Sequence, residues 1–183
     1  MTFPSLVQVH VPVPVPRPPT NPGRQYLALW IEAWDGSKWL LDDAATSGIT
    51  LMRGVRGLGA PEWESHDDRF ASIAGSYWRD AQALTREIYL PMHVFHDGTS
   101  ADWVAHHDLF AAALSDPRKP VRLFCQSPDG TIRSIEMRYQ KGLEEAYELD
   151  PAFFGWATYG VYFKAHQPFW EGLPVTRTWG SAE

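Results

Sequence analysis

The sequence predicts a mainly β fold carrying one α-helix, and three observations support this. The first is a strict alternation running on from Leu84. Leu84, Arg86, Ile88, Leu90, Met92 and Val94 share one face of an extended chain, and Thr85, Glu87, Tyr89, His93 and Phe95 share the other. The second is a pair of turn dipeptides, Asp35-Gly36 and Asp129-Gly130, each set between apolar runs as in a hairpin. The third is that helical spacing occurs once, in "TSADWVAHHDLFAAALSDP".

Taken in order, the chain opens on a segment unlike the rest. Residues 1–24 contain "VHVPVPVPRPPTNPG", in which valine alternates with proline and further prolines follow. Proline has no N–H to donate to a central strand and fixes φ near −65°, so the segment reads as an extended polyproline-type arm. It is either an arm reaching a neighbouring subunit, its valines in a groove, or a stiff solvated leader. Residues 25–172 form the β domain, and 173–183 a short tail.

Within the domain, residues 26–34 and 38–41 are the two arms of a first hairpin. A short strand at 49–53 follows. Gly48, Gly54, Gly57, Gly59 and Pro61 then break the chain, so 54–70 is an irregular excursion. The alternating strand comes next, with Pro91 marking an edge position or a bulge. Thr99 or Ser100 caps the helix and Asp102 suits its positive end. Trp103, Phe110, Ala111 and Leu114 form its apolar stripe, and Pro117 ends it. "VRLFCQ" and "TIRSIEMRYQKG" form a second hairpin, and Phe153–Ala165 a last strand whose aromatics fall on both faces. A strand apolar on both faces is covered on both sides, by a sandwich interior or by another subunit.

The chain's 183 residues fit one domain, and 44% apolar content with nine Trp and nine Phe is ample for a core. A net charge of −6 without a block of like charges argues against a phosphate-backbone binder. The single Cys125 allows no internal disulfide, and no run approaches the 18 apolar residues of a membrane span. The N-terminus lacks a basic-then-apolar signal, so synthesis in the cytoplasm is expected.

No constellation for catalysis, metal or cofactor emerges. His93 and His96 point to opposite faces of a strand, and His106 and His107 diverge on a helix, so surface or partly buried histidines are expected. There is no HExxH, no GxSxG and no P-loop lysine. Cys125 sits mid-strand among apolar residues, where a thiol is inert. The paired acids Asp42-Asp43, Asp67-Asp68 and Glu144-Glu145 read as solvated turns. What remains is aromatic surface: Trp30, Trp34 and Trp39 in the first hairpin, and Trp156, Tyr159, Tyr162 and Phe163 in the last strand. Such residues serve a core and an interface, or, as the alternative, the stacking platform of a carbohydrate-binding β-sandwich.

The order of these features resembles the N-terminal domain of the distal tail (minor tail) proteins of long-tailed, non-contractile phages. The resemblance is carried by "LWIEAWDGSKWLL", "GITLMRGVRGLGAPEWES", "GSYWRDAQALTREIYLPMHVF" with its central Arg86, "RKPVRLFCQSPDGTIRSIEMRYQKG" and "GVYFKAHQPFWEG", over residues 26–172. Gln167 stands where the family has Asp before the proline, and eleven residues follow Gly172 where many members continue into a galectin-like domain. Sugar binding by that module is therefore not carried over. The resemblance implies a small β-sandwich or split barrel similar to tail-tube subunits, with no enzymatic activity and no cofactor. It implies a structural virion protein at the tail tip, in a hexameric ring joining the tail tube to tip or baseplate proteins. Its partners would be copies of itself, tail-tube, tape-measure and tip proteins, with DNA passing but not recognised and no membrane. Candidate interface residues are Arg53, Arg56, Trp63, Trp78, Arg86, Phe169 and Trp170, and under this resemblance the 54–82 excursion would lie along a neighbour as a belt.

Overall fold

A computed structural model of the chain describes residues 27–42, 44–69, 74–144 and 150–172. The expected arm 1–24 and tail 173–183 lie outside the described residues. The elements run β1 (Ala28–Glu32), β2 (Lys38–Leu40), α1 (Ala44–Ser47), β3 (Ile49–Leu51), β4 (Trp63–Asp68), β5 (Tyr77–Ala83) and β6 (Arg86–Phe95). Then follow α2 (Ser100–Leu114), β7 (Val121–Gln126), β8 (Ile132–Lys141), α3 (Pro151–Phe154), β9 (Trp156–Ala165) and β10 (Glu171–Gly172). The fold is mostly β, as expected, with α2 its long helix and α1 and α3 single turns.

Eight strands form one sheet in the order β2-β1-β7-β8-β9-β6-β3, with β10 beside β8. Both expected hairpins are present, Trp30 opposite Leu40 in the first and Gln126 opposite Ile132 in the second. The two ends of the sheet meet where the Leu51 N–H donates to the Leu41 carbonyl at 2.9 Å. The sheet thereby curls into a nearly closed barrel, which removes exposed edges.

The alternation in β6 sets the interior. Arg86, Ile88, Leu90, Met92 and Val94 are buried and face Val161, Phe163 and Ala157 of β9 and Leu123, Ile135 and Met137 of β7 and β8. Each fully buried aliphatic or aromatic side chain contributes about 1.5–3 kcal/mol relative to exposure. Pro91 is accommodated neither by a bulge nor at the sheet edge, since β6 lies between β9 and β3. Its nitrogen faces the side where β3 has already ended, and its carbonyl accepts from Met52 N–H at 2.8 Å.

Helix α2 starts at a capping box. The Thr99 side chain accepts from Asp102 N–H, and the Asp102 carboxylate accepts from Thr99 N–H at 2.8 Å. The Thr99 hydroxyl, donating to the carboxylate at 2.7 Å, and then the Thr99 N–H hold the Asp102 carboxyl below its ordinary pKa. The helix ends on Ser115, two residues before Pro117. Its buried stripe is Trp103, His107, Phe110, Ala113 and Leu114, with Phe110 5.4 Å from Trp39. Ala111 is only half-buried, and His107 corrects the expectation of histidines at or near the surface. It is 5% exposed, stacked between Trp103 at 5.0 Å and Tyr159 at 5.6 Å. Cys125 is buried, as expected.

Three segments differ from the sequence reading. The last strand begins at Trp156, not Phe153, because Asp150 caps a helical turn, Pro151 opens it and Gly155 closes it at φ +73°. Only one face of β9 is fully buried, its even positions being half-covered or exposed. The excursion 54–70 is not irregular throughout, since β4 pairs with β5 in a separate two-stranded sheet. Finally, the strand ending at Ala165 is not the last. After a detour over 166–170 the chain resumes pairing with β8, Glu171 opposite Ser134 and Gly172 opposite Arg133.

Candidate assembly surface

The glycine-broken loop 52–62 is the root of the β4–β5 arm, and several expected interface residues converge on it. Arg56 bridges to Tyr89 through both backbone groups, at 3.0 and 3.1 Å, and lays its guanidinium over the Tyr89 ring at 4.9 Å. The next carbonyl, of Gly57, accepts from Arg86 Nη1 at 3.3 Å. The Leu58 carbonyl accepts from Trp170 Nε1 at 3.2 Å, and Arg133 sits over the Trp170 ring at 4.9 Å. Trp63 meets Phe169 at 6.0 Å, and Leu84 N–H donates to the Glu62 carbonyl at 2.8 Å, closing the base. A Cβ at Gly57 would overlap the Glu87 carbonyl oxygen, which is why the loop approaches β6 so closely on a glycine.

Arg86 is not a surface residue of this chain. It is 5% exposed, and its Nε finds no hydrogen-bond partner among the described residues. Burial lowers its pKa, and the neighbouring Arg133 adds to this. It is an internal strut between β6 and the arm root. The aromatic pair of "KAHQPFWEG" divides: Trp170 is half-buried against the core and holds the root, whereas Phe169 is 43% exposed beside Trp63.

The arm itself is exposed. All of β4 is exposed, and Trp63, Tyr77 and Trp78 are 56%, 60% and 69% exposed. A register slip between His66 and Asp67 leaves Arg79 as the extra residue, and a bulge of this kind twists a hairpin. Among the described residues no third strand joins this ribbon, and a two-stranded ribbon is marginal in water, so its large exposed aromatics are candidates for burial by contact. Arg53 lies apart from this cluster, exposed in the turn after β3, and Trp78 lies out along the arm.

A second aromatic surface runs along the outer face of β6 and β9 and was only partly visible in the sequence. Tyr89 and Tyr162 are opposite each other, rings 4.7 Å apart, with Lys141 Nζ 4.9 Å from the Tyr162 ring. His93 lies 5.4 Å from Trp156 and 5.8 Å from Phe95, and Phe154 and Phe153 extend the row, Phe153 being 78% exposed. Burial lowers the His93 pKa from its ordinary value. His106 is lowered too, by burial first and then by His96, whose ring is 5.5 Å away.

The tryptophans of the first hairpin do not form one platform. Trp30 stacks on Phe124 at 5.1 Å, Trp39 packs on Phe110, and Trp34 carries Lys119 Nζ at 3.2 Å above its ring. Among the described residues, no cluster of three or more His, Cys, Asp or Glu is arranged to hold a metal. No described helix is long and apolar enough to cross a membrane.

The fold has counterparts among solved structures. It is similar to the SPP1 Dit (gp 19.1) protein, described as a paradigm of the hub adsorption apparatus in phages infecting Gram-positive hosts. That match has a TM-score of 0.55 and 18% identity over 81% of this chain and 53% of the other. It is also similar to a chain of the phage P2 baseplate in its activated conformation, with Ca or with Sr. Each gives a TM-score of 0.60 and 10% identity over 77% of this chain and 44% of that one. The chain therefore spans about half the length of the solved proteins it matches. No family model matches the sequence, and no curated protein matches it significantly.

Proposed function

We propose that this chain is a structural virion protein of a phage tail tip, a distal tail ring subunit that works by assembly. The supporting observation is the β4–β5 arm. A barrel similar in fold to Dit and baseplate chains projects a two-stranded ribbon with Trp63, Tyr77 and Trp78 exposed. In a hexameric ring the arm lies along the adjacent copy as a belt, and its anchoring at Gly57, Leu58 and Trp63 fixes the direction in which it leaves the barrel. Contacts of this kind are head-to-tail and close by rotation. Arg53, Arg56, Trp63, Trp78 and Phe169 are the interface residues, while Arg86 and Trp170 act by holding the arm root. The ring joins the tail tube to tip or baseplate proteins, with tape-measure protein and DNA passing within. A net charge of −6 suits a lumen that DNA must not adhere to. In this reading the protein acts in the virion, after synthesis in the host cytoplasm, and carries no enzymatic activity or cofactor.

The test is the native mass of the purified chain across a dilution series. A closed ring of six is the expected result. A strict monomer at high concentration with measurable glycan affinity would replace this reading with the carbohydrate-binding alternative.

A further inference from the structure

We infer that the outer face of β6 and β9 is a docking site for a polyproline-type peptide, and that its occupant is the Pro-rich segment 9–19 of a second copy of this chain. The face has the chemistry for it. Tyr89 and Tyr162 stand paired at 4.7 Å, Tyr89 reaches over Gly160 opposite Pro91, and His93 and Trp156 continue the surface at 5.4 Å. The result is an aromatic pavement in which the Tyr89 ring fills the space over Gly160, the kind of surface on which prolines pack without main-chain hydrogen bonds.

The segment "VHVPVPVPRPP" has the matching limitation. With every second residue from Pro12 to Pro16 lacking an N–H, it cannot pair along a sheet edge, and side-chain packing is the mode left to it. Its φ angles are restricted before binding, so little ordering entropy opposes docking. The aromatic groups of the first hairpin are dispersed, Trp30 on Phe124, Trp39 on Phe110 and Trp34 under Lys119, and the arm aromatics stand out on a ribbon, whereas the Tyr89 and Tyr162 rings share one face, bordered by Arg56 and Lys141 at 4.9 Å each. The β6–β9 face is the continuous one attached to the barrel wall.

Strand order favours a second copy. The segment leads into β1, and in the order β2-β1-β7-β8-β9-β6-β3, curled so that β3 meets β2, β1 is three strand steps from both β9 and β6. The start of β1 and the β6–β9 face thus lie on opposite sides of one barrel. That arrangement suits a head-to-tail chain of copies, in which the segment of one meets the face of the next. The eleven residue steps from Pro16 to Leu27 reach about 34 Å when extended at about 3.1 Å each, about one domain diameter.

The inference rests on the oligomeric reading above, and cross-linking separates the two. Full-length chains carrying Val13→Cys and Thr158→Cys are coexpressed, Thr158 being exposed on the same face while Cys125 is buried. Under mild oxidation, disulfide-linked dimers are expected from the mixture and not from either variant alone. Adding Tyr162→Ala to the Thr158→Cys chain should cut the yield about tenfold, the scale of one aromatic contact, and Tyr162→Phe should restore it. An oligomer of normal mass without cross-link overturns the inference and leaves the ring standing, whereas a wild-type monomer overturns the ring itself. A double variant Val13→Cys/Thr158→Cys that closes within one chain overturns the second-copy assignment. A cross-link indifferent to Tyr162→Ala overturns the aromatic docking.

Discussion

Gly57 shows how one residue fixes the course of a whole segment. Its φ of +85° belongs to glycine, and a Cβ there would overlap the Glu87 carbonyl. Gly54 has an even more positive φ, +105°, but open space around it. Gly54→Ala therefore carries backbone strain alone, about 1–3 kcal/mol, while Gly57→Ala adds a collision with the β6 backbone and should cost more. Denaturant unfolding of the two variants checks this, and equal losses would show that loop and strand separate easily. The histidines supply a second prediction. His93 and His106 have folded-state pKa values below the ordinary 6.5, held down mainly by burial. The unfolded chain thus binds protons first, so stability is full above that value and falls as pH drops through it toward the folded values. Unfolding free energy should decline between about pH 7 and pH 5, and His93→Gln should flatten part of the slope. A wild-type curve level across that range would contradict the burial of these rings. Arg86 was the least legible residue. Sequence placed it on the apolar face of its strand, yet read it as a contact for a neighbour. The structure carries the first reading through, putting the guanidinium inside against Gly57.

The elements legible in the sequence are those whose signals are local. Alternation gave β6, turn dipeptides gave both hairpins, and the Thr99–Asp102 box gave the start of α2. Where long-range packing decides, local patterns misled. His107 completes the apolar stripe of α2 at i+4 from Trp103 but is polar by type, so only the stacked Tyr159 reveals its burial. Strands β4 and β5 have mostly exposed, polar side chains and no buried face, so no hydrophobic period marks them. The "HQPFW" detour has no period either, since its role is to bring Trp170 to Leu58 before β10 resumes the ladder. The arm provides an element-scale prediction. Trp78 is 69% exposed, so Trp78→Ser should change folding stability by less than about 0.5 kcal/mol. If Trp78 anchors the arm on a neighbour, the same change should weaken assembly by about 2 kcal/mol, roughly thirtyfold in dissociation constant. Thermal unfolding beside sedimentation of the oligomer separates these effects. Unaltered assembly would remove Trp78 from the interface.

At the scale of the molecule, the core and the Pro-rich segment are expected to be separable. Among the described residues, every buried apolar side chain lies between Leu29 and Pro168, and the barrel closes through Leu41 and Leu51. Deleting residues 1–24 removes none of these contacts, so the truncated chain should unfold cooperatively at an unchanged midpoint. Assembly should respond differently. A segment already restricted to extended φ angles loses little entropy on docking, so most of its packing energy is available to hold copies together. Truncation should therefore shift the oligomer toward smaller species at a given concentration, an effect read by native mass across a dilution series. It should add to that of Trp78→Ser, because arm and Pro-rich segment engage different surfaces and distant sites combine independently. A truncated chain that keeps the wild-type mass at every dilution would leave residues 1–24 as a solvated leader. A lowered unfolding midpoint would show instead that they belong to the fold.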